Sequence, residues 1–288
     1  MASTIVLKRR ITSVKGTRQI TKALQLVSAS KLRRAQEQAT ASRAYRDVAY
    51  DLLTRLNAIS EVQRQPMFAV RPVKNRLYLI ITSNTGLAGA YNSNSFKLLT
   101  AGLREDEAEH VKSHVITVGT KGAGFVRRLQ NVDLMAAYPP FGDHPTANDL
   151  RPILNTIIEH YKDGKVDEVR VIYTAFKSTV SQEAKSLQLL PAVAAEGTSD
   201  NAAITNFEPD VETVIDQVAI RLVEAQIWQG VLESLASEHA MRMLATKNAT
   251  DNANDLIQDY TLELNNARQA AITQELAEIS GGAEAMNG

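Results

Sequence analysis

Apolar residues recur at steps of three and four along the C-terminal stretch 209–288, the spacing of one stripe on an α-helix. The stretch holds no proline after Pro209 and no glycine between Gly230 and Gly281. The pattern predicts a single helix that, at about 1.5 Å per residue, is too long to bury its stripe inside one small domain. Such a helix needs a long partner helix or a partner protein. Its apolar members are Val211, Val214, Ile215, Val218, Leu222, Ile227, Val231, Leu235, Leu256, Tyr260, Leu264, Ile272, Leu276 and Ile279.

A second long helix is predicted near the N-terminus, within residues 1–60, where Gly16 is the only glycine and proline is absent. One apolar stripe consists of Leu7, Ile11 and Val14, and another of Ile20, Leu24 and Val27. The two stripes are out of phase, and the offset resembles a stammer, which would overwind a supercoil locally. Prolines within 65–72 end the helical pattern.

Between the two helices, residues 76–193 alternate short apolar runs with helical segments. This alternation predicts a small Rossmann-like α/β domain with a mostly parallel sheet. The expected fold is therefore a long antiparallel coiled coil of the two terminal helices, 1–60 and 209–288, with the α/β domain inserted between them. Strands are predicted at 77–82, 114–118, 168–173 and 186–190, and helices near 93–103, 122–129 and 148–161.

The net charge is zero, so no global field attracts nucleic acid or a membrane surface. However, residues 1–60 carry 12 basic and 3 acidic residues, whereas 208–288 carry 4 basic and 14 acidic residues. This complementarity favours pairing of the two helices with each other, although a basic helix could also bind DNA phosphates. Cysteine is absent, which excludes disulfides, zinc–thiolate sites and thiol nucleophiles. No apolar run approaches the ~18 residues of a membrane span, and no signal peptide is expected.

Two glycine-rich stretches, 86–89 and 119–124, follow predicted strands and could cradle a phosphate. Neither completes a Walker A or a GxGxxG motif, so tight strand–helix turns are favoured. The histidines lack metal-ligand spacing. We therefore expect no catalytic, cofactor or metal site. A nucleotide-binding enzyme and a coiled-coil adaptor or nucleic-acid binder remain as alternatives.

Several stretches resemble the gamma subunits of F-type ATP synthases. They are RITSVK at 10–15, QITKAL at 19–24, TSNTGLAGAYN at 82–92 and ITQELAEISGGA at 272–283. The last fits the family pattern I-T-x-E-x-x-[DE]-x-x-x-G-A, and the resemblance covers the whole chain. Asn84 and Thr85 depart from it, since the family usually has Asp-Arg there.

The resemblance implies that the terminal helices form a rotor shaft whose tip lies inside a ring of three alpha and three beta subunits. The foot and the α/β domain would lie near the epsilon subunit and the membrane c-ring. Proton flow would turn the c-ring and the shaft, driving ATP synthesis at the beta subunits, and ATP hydrolysis would reverse the rotation. The subunit itself would be non-catalytic, without cofactor or nucleic-acid partner. It would be peripheral at the cytoplasmic face of the bacterial plasma membrane, attached only through the c-ring.

The resemblance also suggests residues that contact partners. Arg268, Gln269 and Thr273 match positions that hydrogen-bond the catch loop of the beta subunit. Arg242 and Lys247 are further candidates for that contact. The foot facing the c-ring and epsilon is expected at Thr205, Asn206, Phe207 and Glu208.

Overall fold

The computed structural model of the protein describes residues 4–57, 65–143, 145–192 and 211–287. Both predicted long helices are present. The elements, in chain order, are α1 (Thr4–Asn57), β1 (Asn75–Ile81), α2 (Tyr91–Ala108), β2 (Lys112–Val118), α3 (Thr120–Val126), β3 (Asp133–Tyr138), α4 (Ala147–Lys162), β4 (Glu168–Phe176), β5 (Gln182–Leu190) and α5 (Val211–Asn287).

These elements divide into two compact units. Met1–Val27 and Met243–Gly288 form one, called here the two-helix unit. Ser28–Arg242 forms the other, called here the α/β unit. The two long helices contribute residues to both units, so packing divides the chain differently from the order of its elements.

The sheet of the α/β unit has the strand order β3-β2-β1-β4-β5. Strands β1 to β4 are parallel, and β5 runs antiparallel to β4. The prediction of a Rossmann-like, mostly parallel sheet is therefore confirmed, since 3-2-1-4-5 is the strand order of that fold class. The prediction of four strands was wrong, because β3 forms one edge of the sheet. Its side chains are mostly half-buried, and its run of Met135, Ala136 and Ala137 lacks strand alternation.

Apolar side chains cover both faces of this sheet, as expected for parallel strands. One face, with Leu77, Leu79 and Val171, belongs to a core that includes α4 and the first half of α5. The opposite face, with Tyr78 and Ile80, belongs to a core that includes side chains of α2 and α3. The α/β unit is thus a three-layer arrangement, and α5 is part of its outer layer.

In the two-helix unit, α1 and α5 pack as an antiparallel pair. Thr250 Oγ1 donates to Thr21 Oγ1 at 2.8 Å, Arg18 donates to Asn254 at 3.3 Å, and the Arg10 guanidinium lies 5.7 Å from the centre of the Tyr260 ring. Residues closer to the N-terminus of α1 contact residues closer to the C-terminus of α5. These contacts confirm the predicted antiparallel coiled coil.

The seam between the two helices follows an unbroken three-four spacing, as in a regular coiled coil. On α1 it passes through Leu7, Ile11, Val14, Arg18 and Thr21. On α5 it passes through Thr246, Thr250, Ala253, Ile257, Tyr260, Leu264 and Ala267.

The predicted stammer was therefore wrong. Ile20 and Val27, assigned to a second buried stripe, are 64% and 52% exposed. Polar Thr21 takes the seam position, which apolar periodicity alone does not reveal.

Candidate functional site

The last part of α5 has no helix packed against it in the described chain. Every described side chain from Arg268 to Ala283 is exposed. The cause is the register of the pair, since the first residue of α1, Thr4, falls near Ala267. Residues 268–287, called here the tail, therefore continue as a single helix of about 30 Å. α5 thus extends past its partner helix from Arg268 onward.

The tail also carries apolar residues at steps of three and four, although no helix of the described chain covers them. Ile272, Leu276 and Ile279 are 49%, 62% and 69% exposed and are spaced by four and then three residues. They therefore lie on one side of the helix. An exposed apolar stripe with polar neighbours is the usual mark of a protein-binding surface.

Three of the predicted partner-binding residues lie on this tail. Arg268, Gln269 and Thr273 are all exposed. The Thr273 hydroxyl donates to the Gln269 carbonyl at 2.9 Å, so its oxygen still has an acceptor site. The tail thus places a guanidinium, an amide and a hydroxyl within about two helical turns of the apolar stripe.

Arg242 has a different environment, in the α/β unit. It is only 9% exposed. Its guanidinium donates to the carbonyls of Thr85 and Gly86 and to the Thr85 hydroxyl, and it forms an ion pair with Glu238 at 2.7 Å. Burial raises the pKa of Glu238, and Arg242 opposes that shift. In this structure the hydrogen bonds of Arg242 therefore stabilise the loop after β1.

The remaining predicted contact residues are Lys247 and the four foot residues. Lys247 is exposed on α5 within the two-helix unit. The predicted foot residues lie outside the described residues: Thr205, Asn206, Phe207 and Glu208. A role for Arg242, Lys247 or the foot in partner binding stays a prediction.

The glycine-rich turn after β2 is filled by a side chain from β1's end. A Cβ on Gly119, where φ is +91°, would lie 2.2 Å from the Thr82 carbonyl oxygen. The amide of Gly122 donates to Thr82 Oγ1 at 2.9 Å. The amide of Lys121 donates to the Ser83 carbonyl at 3.2 Å. The backbone amides that would hold a phosphate are therefore occupied, and the interpretation as a tight strand–helix turn is confirmed.

Two kinds of feature are absent from the described residues. No group of His, Asp or Glu side chains there could hold a metal ion. None of the helices in the described ranges has the length and apolarity to span a bilayer.

Sequence reasoning missed the polar contacts of the seam. Thr21 and Thr250 are both buried, and they meet at positions where apolar side chains are expected. The signal that could have found them is the continuous three-four spacing from Leu7 onward, counted without regard to polarity.

Similarity to known proteins extends along the whole chain. A family profile described as ATP synthase matches residues 3–286. The ATP synthase gamma chain of Psychrobacter arcticus is 37% identical over 294 residues, covering 100% of both chains. That of Herminiimonas arsenicoxydans is 40% identical over 290 residues, covering 99% of this chain and 100% of the relative.

Solved structures show the same fold. The rotor of the Euglena gracilis mitochondrial ATP synthase superposes with a TM-score of 0.68 at 18% identity, covering 93% of this chain and 98% of that one. The central stalk and c-ring structure from Tetrahymena thermophila gives a TM-score of 0.63 at 24% identity, covering 80% and 99%. With relatives above 30% identity along its whole length, the chain belongs to the gamma chain family of the ATP synthases.

Proposed function

We propose that this chain is the central rotor shaft of a proton-translocating F-type ATP synthase and that it is not itself catalytic. The observation that carries the proposal is the tail, a single exposed helix with an uncovered apolar stripe at Ile272, Leu276 and Ile279. Membership of the gamma chain family supports it. The segments 1–60 and 209–288 supply the coiled coil, and 76–193 the α/β domain.

In this role the tail lies inside a ring of three alpha and three beta subunits. A shaft can bias three otherwise equivalent sites only if it contacts each of them differently. A helix whose polar and apolar sides differ meets this requirement, because each rotation presents a different side to a given beta subunit. Arg268, Gln269 and Thr273 supply the polar contacts to the beta catch loop, with Arg242 and Lys247 as further candidates.

The other end of the rotor would receive torque from the c-ring. The epsilon subunit and the c-ring contact the foot, which includes Thr205, Asn206, Phe207 and Glu208. The subunit would therefore be peripheral, at the cytoplasmic face of the bacterial plasma membrane, and held there only through the c-ring. Proton flow would turn it in the direction of ATP synthesis, and ATP hydrolysis would reverse it.

The turn after β2, whose backbone amides are already hydrogen-bonded within the chain, supports a non-catalytic role. Thr82 occupies the amide of Gly122 that a nucleotide phosphate would need. We expect the isolated chain neither to bind ATP nor to hydrolyse it. Equilibrium dialysis with ATP and a phosphate-release assay on the isolated chain measure both, and saturable ATP binding would favour the nucleotide-enzyme alternative.

The rotor proposal is tested on the tail within the assembled complex. The double variant Gln269→Leu with Thr273→Val removes two polar groups without breaking the helix. We expect coupled ATP hydrolysis to fall about ten-fold, since hydrogen bonds to charged partners contribute roughly 1.5–3 kcal/mol and ~1.4 kcal/mol is ten-fold.

The matched control is Gln258→Leu with Thr261→Val, which changes the same residue types at exposed positions of α5 that lie alongside α1. Circular dichroism checks that both variants fold. Equal turnover in the tail variant and the control would refute the proposal.

A further inference from the structure

A cavity of about 230 Å³ lies in the α/β unit, at the carboxyl ends of β1 and β2. Lys31 of α1 and His239 and Arg242 of α5 line it, together with the loops that follow β1 and β3. Its volume is below the roughly 300–1,000 Å³ of pockets for drug-sized ligands. The space therefore suits a small molecule or ion.

This place in the sheet is where open α/β folds bind ligands. Such ligands lie outside the carboxyl ends of the strands, near the point where the strand order reverses. In this sheet the order reverses next to β1, whose last residue Ile81 lines the cavity. Thr82 fills the turn after β2, but space remains open against Lys31, His239 and Arg242.

Two cations line the cavity, each beside a carboxylate. Lys31 Nζ lies 2.7 Å from Asp143, a pair that is partly exposed. Arg242 lies 2.7 Å from Glu238, and both of these side chains are largely buried. An ammonium group has three N–H donors, so Lys31 can donate to a ligand as well as to Asp143.

His239 is the group without a partner. Its Nδ1 is buried and makes no hydrogen bond within the described chain. Burial, Arg242 and Lys31 lower the pKa of His239 to about 4, against the opposing effect of Asp143. The imidazole is therefore neutral at pH 7, and it lies near the positive charges of Arg242 and Lys31. An unsatisfied buried polar atom costs about 1–3 kcal/mol, which a hydrogen-bonding ligand removes.

We propose that this cavity binds a small oxyanion of the size of inorganic phosphate, held by Lys31 Nζ and the imidazole N–H of His239. Asn84 also lines the cavity, and its side-chain amide carries further N–H donors. The site is separate from the tail and does not depend on the rotor role. No residue of the turn after β2 donates to the ligand.

Binding would join α1, α5 and two loops of the sheet through one ligand. An anion that binds only the folded chain stabilises it by RT ln(1 + [L]/Kd), about 2.7 kcal/mol at a hundred-fold excess over Kd. Occupancy therefore raises the unfolding temperature, and it shifts the His239 imidazole resonances in NMR spectra.

The test uses the full chain, titrated with sodium phosphate, sodium sulfate or sodium acetate at constant ionic strength set by sodium chloride. Calorimetry gives Kd, and NMR of histidine-labelled protein locates the site. We expect saturable phosphate binding that weakens at least ten-fold in Lys31→Ala and in His239→Leu. Lys97→Ala, which changes an exposed lysine of α2 in the same unit, should bind as the unaltered chain does.

Comparing the three anions shows whether the cavity prefers a tetrahedral oxyanion or a carboxylate. Binding of phosphate and sulfate but not acetate supports a tetrahedral oxyanion site, and binding of acetate alone contradicts it. Phosphate raises unfolding temperatures generally by exclusion from protein surfaces, so only the part that Lys31→Ala removes counts. The proposal fails if phosphate does not saturate, or if Lys31→Ala and His239→Leu both bind as tightly as Lys97→Ala.

Discussion

Thr21 and Thr250 hydrogen-bond to each other through their hydroxyls, at 2.8 Å, in the seam between α1 and α5. Both side chains are buried. Thr21 also donates to the Arg18 carbonyl at 3.1 Å, so the polar atoms of this layer are satisfied. A polar layer in a coiled-coil seam favours one register, because a shifted register loses the hydrogen bond between the two helices.

The first prediction concerns this layer. Thr250→Val alone should lower the free energy of unfolding by about 1 kcal/mol, the usual net value of one hydrogen bond. The double variant Thr21→Val with Thr250→Val should regain most of that loss, because both partners become apolar. Urea unfolding of the single and double variants measures the coupling. Strictly additive losses would contradict the cross-seam bond.

A second prediction concerns the apolar side of the tail. Replacing Ile272, Leu276 and Ile279 by Ser leaves the isolated chain as stable as before, because these side chains are already exposed. Assembly with the alpha and beta subunits should weaken, since each buried large apolar side chain contributes roughly 1.5–3 kcal/mol. Co-purification of the ring with the variant measures this.

The matched control for the tail is Leu262→Ser. Leu262 is 63% exposed on α5 alongside α1, outside the tail. It should cause a smaller loss of assembly than the three tail replacements. A tail variant that assembles normally would show that the apolar stripe is not a contact surface.

Alanine substitutions at two glycines in and after the turn that follows β2 should change the stability of the fold in opposite directions. Gly119→Ala places a Cβ 2.2 Å from a backbone oxygen at a positive φ, so we expect a loss of several kcal/mol, on the order of 3 or more. Gly124→Ala meets nothing within 4 Å and lies inside α3. It should stabilise the chain by about 0.5–1 kcal/mol. Thermal unfolding compares the two variants, and similar effects would contradict the close packing on Thr82.

The fourth prediction is a pH dependence from His239. In the folded chain the pKa of His239 falls from its ordinary 6.5 to about 4, so unfolding takes up a proton between these values. The resulting stability is present above pH 6.5 and is lost as the pH falls towards 4. Between about pH 7.5 and 5.5 the loss should be roughly 1 kcal/mol, since one pKa unit corresponds to ~1.4 kcal/mol.

Denaturant unfolding of the original chain and of His239→Leu at several pH values isolates this contribution. The stability of the original chain relative to that of His239→Leu should fall as the pH falls. A difference that stays constant from neutral to acid pH would show that His239 titrates normally in the folded chain.

Periodicity predicted the long elements well, for a physical reason. A helix as long as α5 repeats its apolar spacing many times, so the signal accumulates along Val211–Asn287. The edge strand β3 gave no such signal. It is short, its side chains are half-buried rather than alternating, and Ala136 and Ala137 favour helices.

The seam and the sites show the other limit of sequence reasoning. Apolar Ile20 looked like a seam residue, yet its polar neighbour Thr21 is the one that packs. Arg242 is a candidate for partner binding, which stays a prediction, but sequence reasoning did not foresee that its guanidinium donates to a loop far away in sequence. Such pairings depend on which segments meet in space, and single-chain periodicity carries no information about that.

The end of α1 at Thr4 has a mechanical consequence for α5. Alongside α1, twisting α5 must also shear the packed side chains and hydrogen bonds of the seam, such as that between Thr21 and Thr250. From Arg268 onward, within the described residues, rotation about the helix axis is resisted by hydrogen bonds of α5 itself and not by a seam with α1. For a given torque, the tail would therefore twist through a larger angle per residue than the part of α5 that packs against α1.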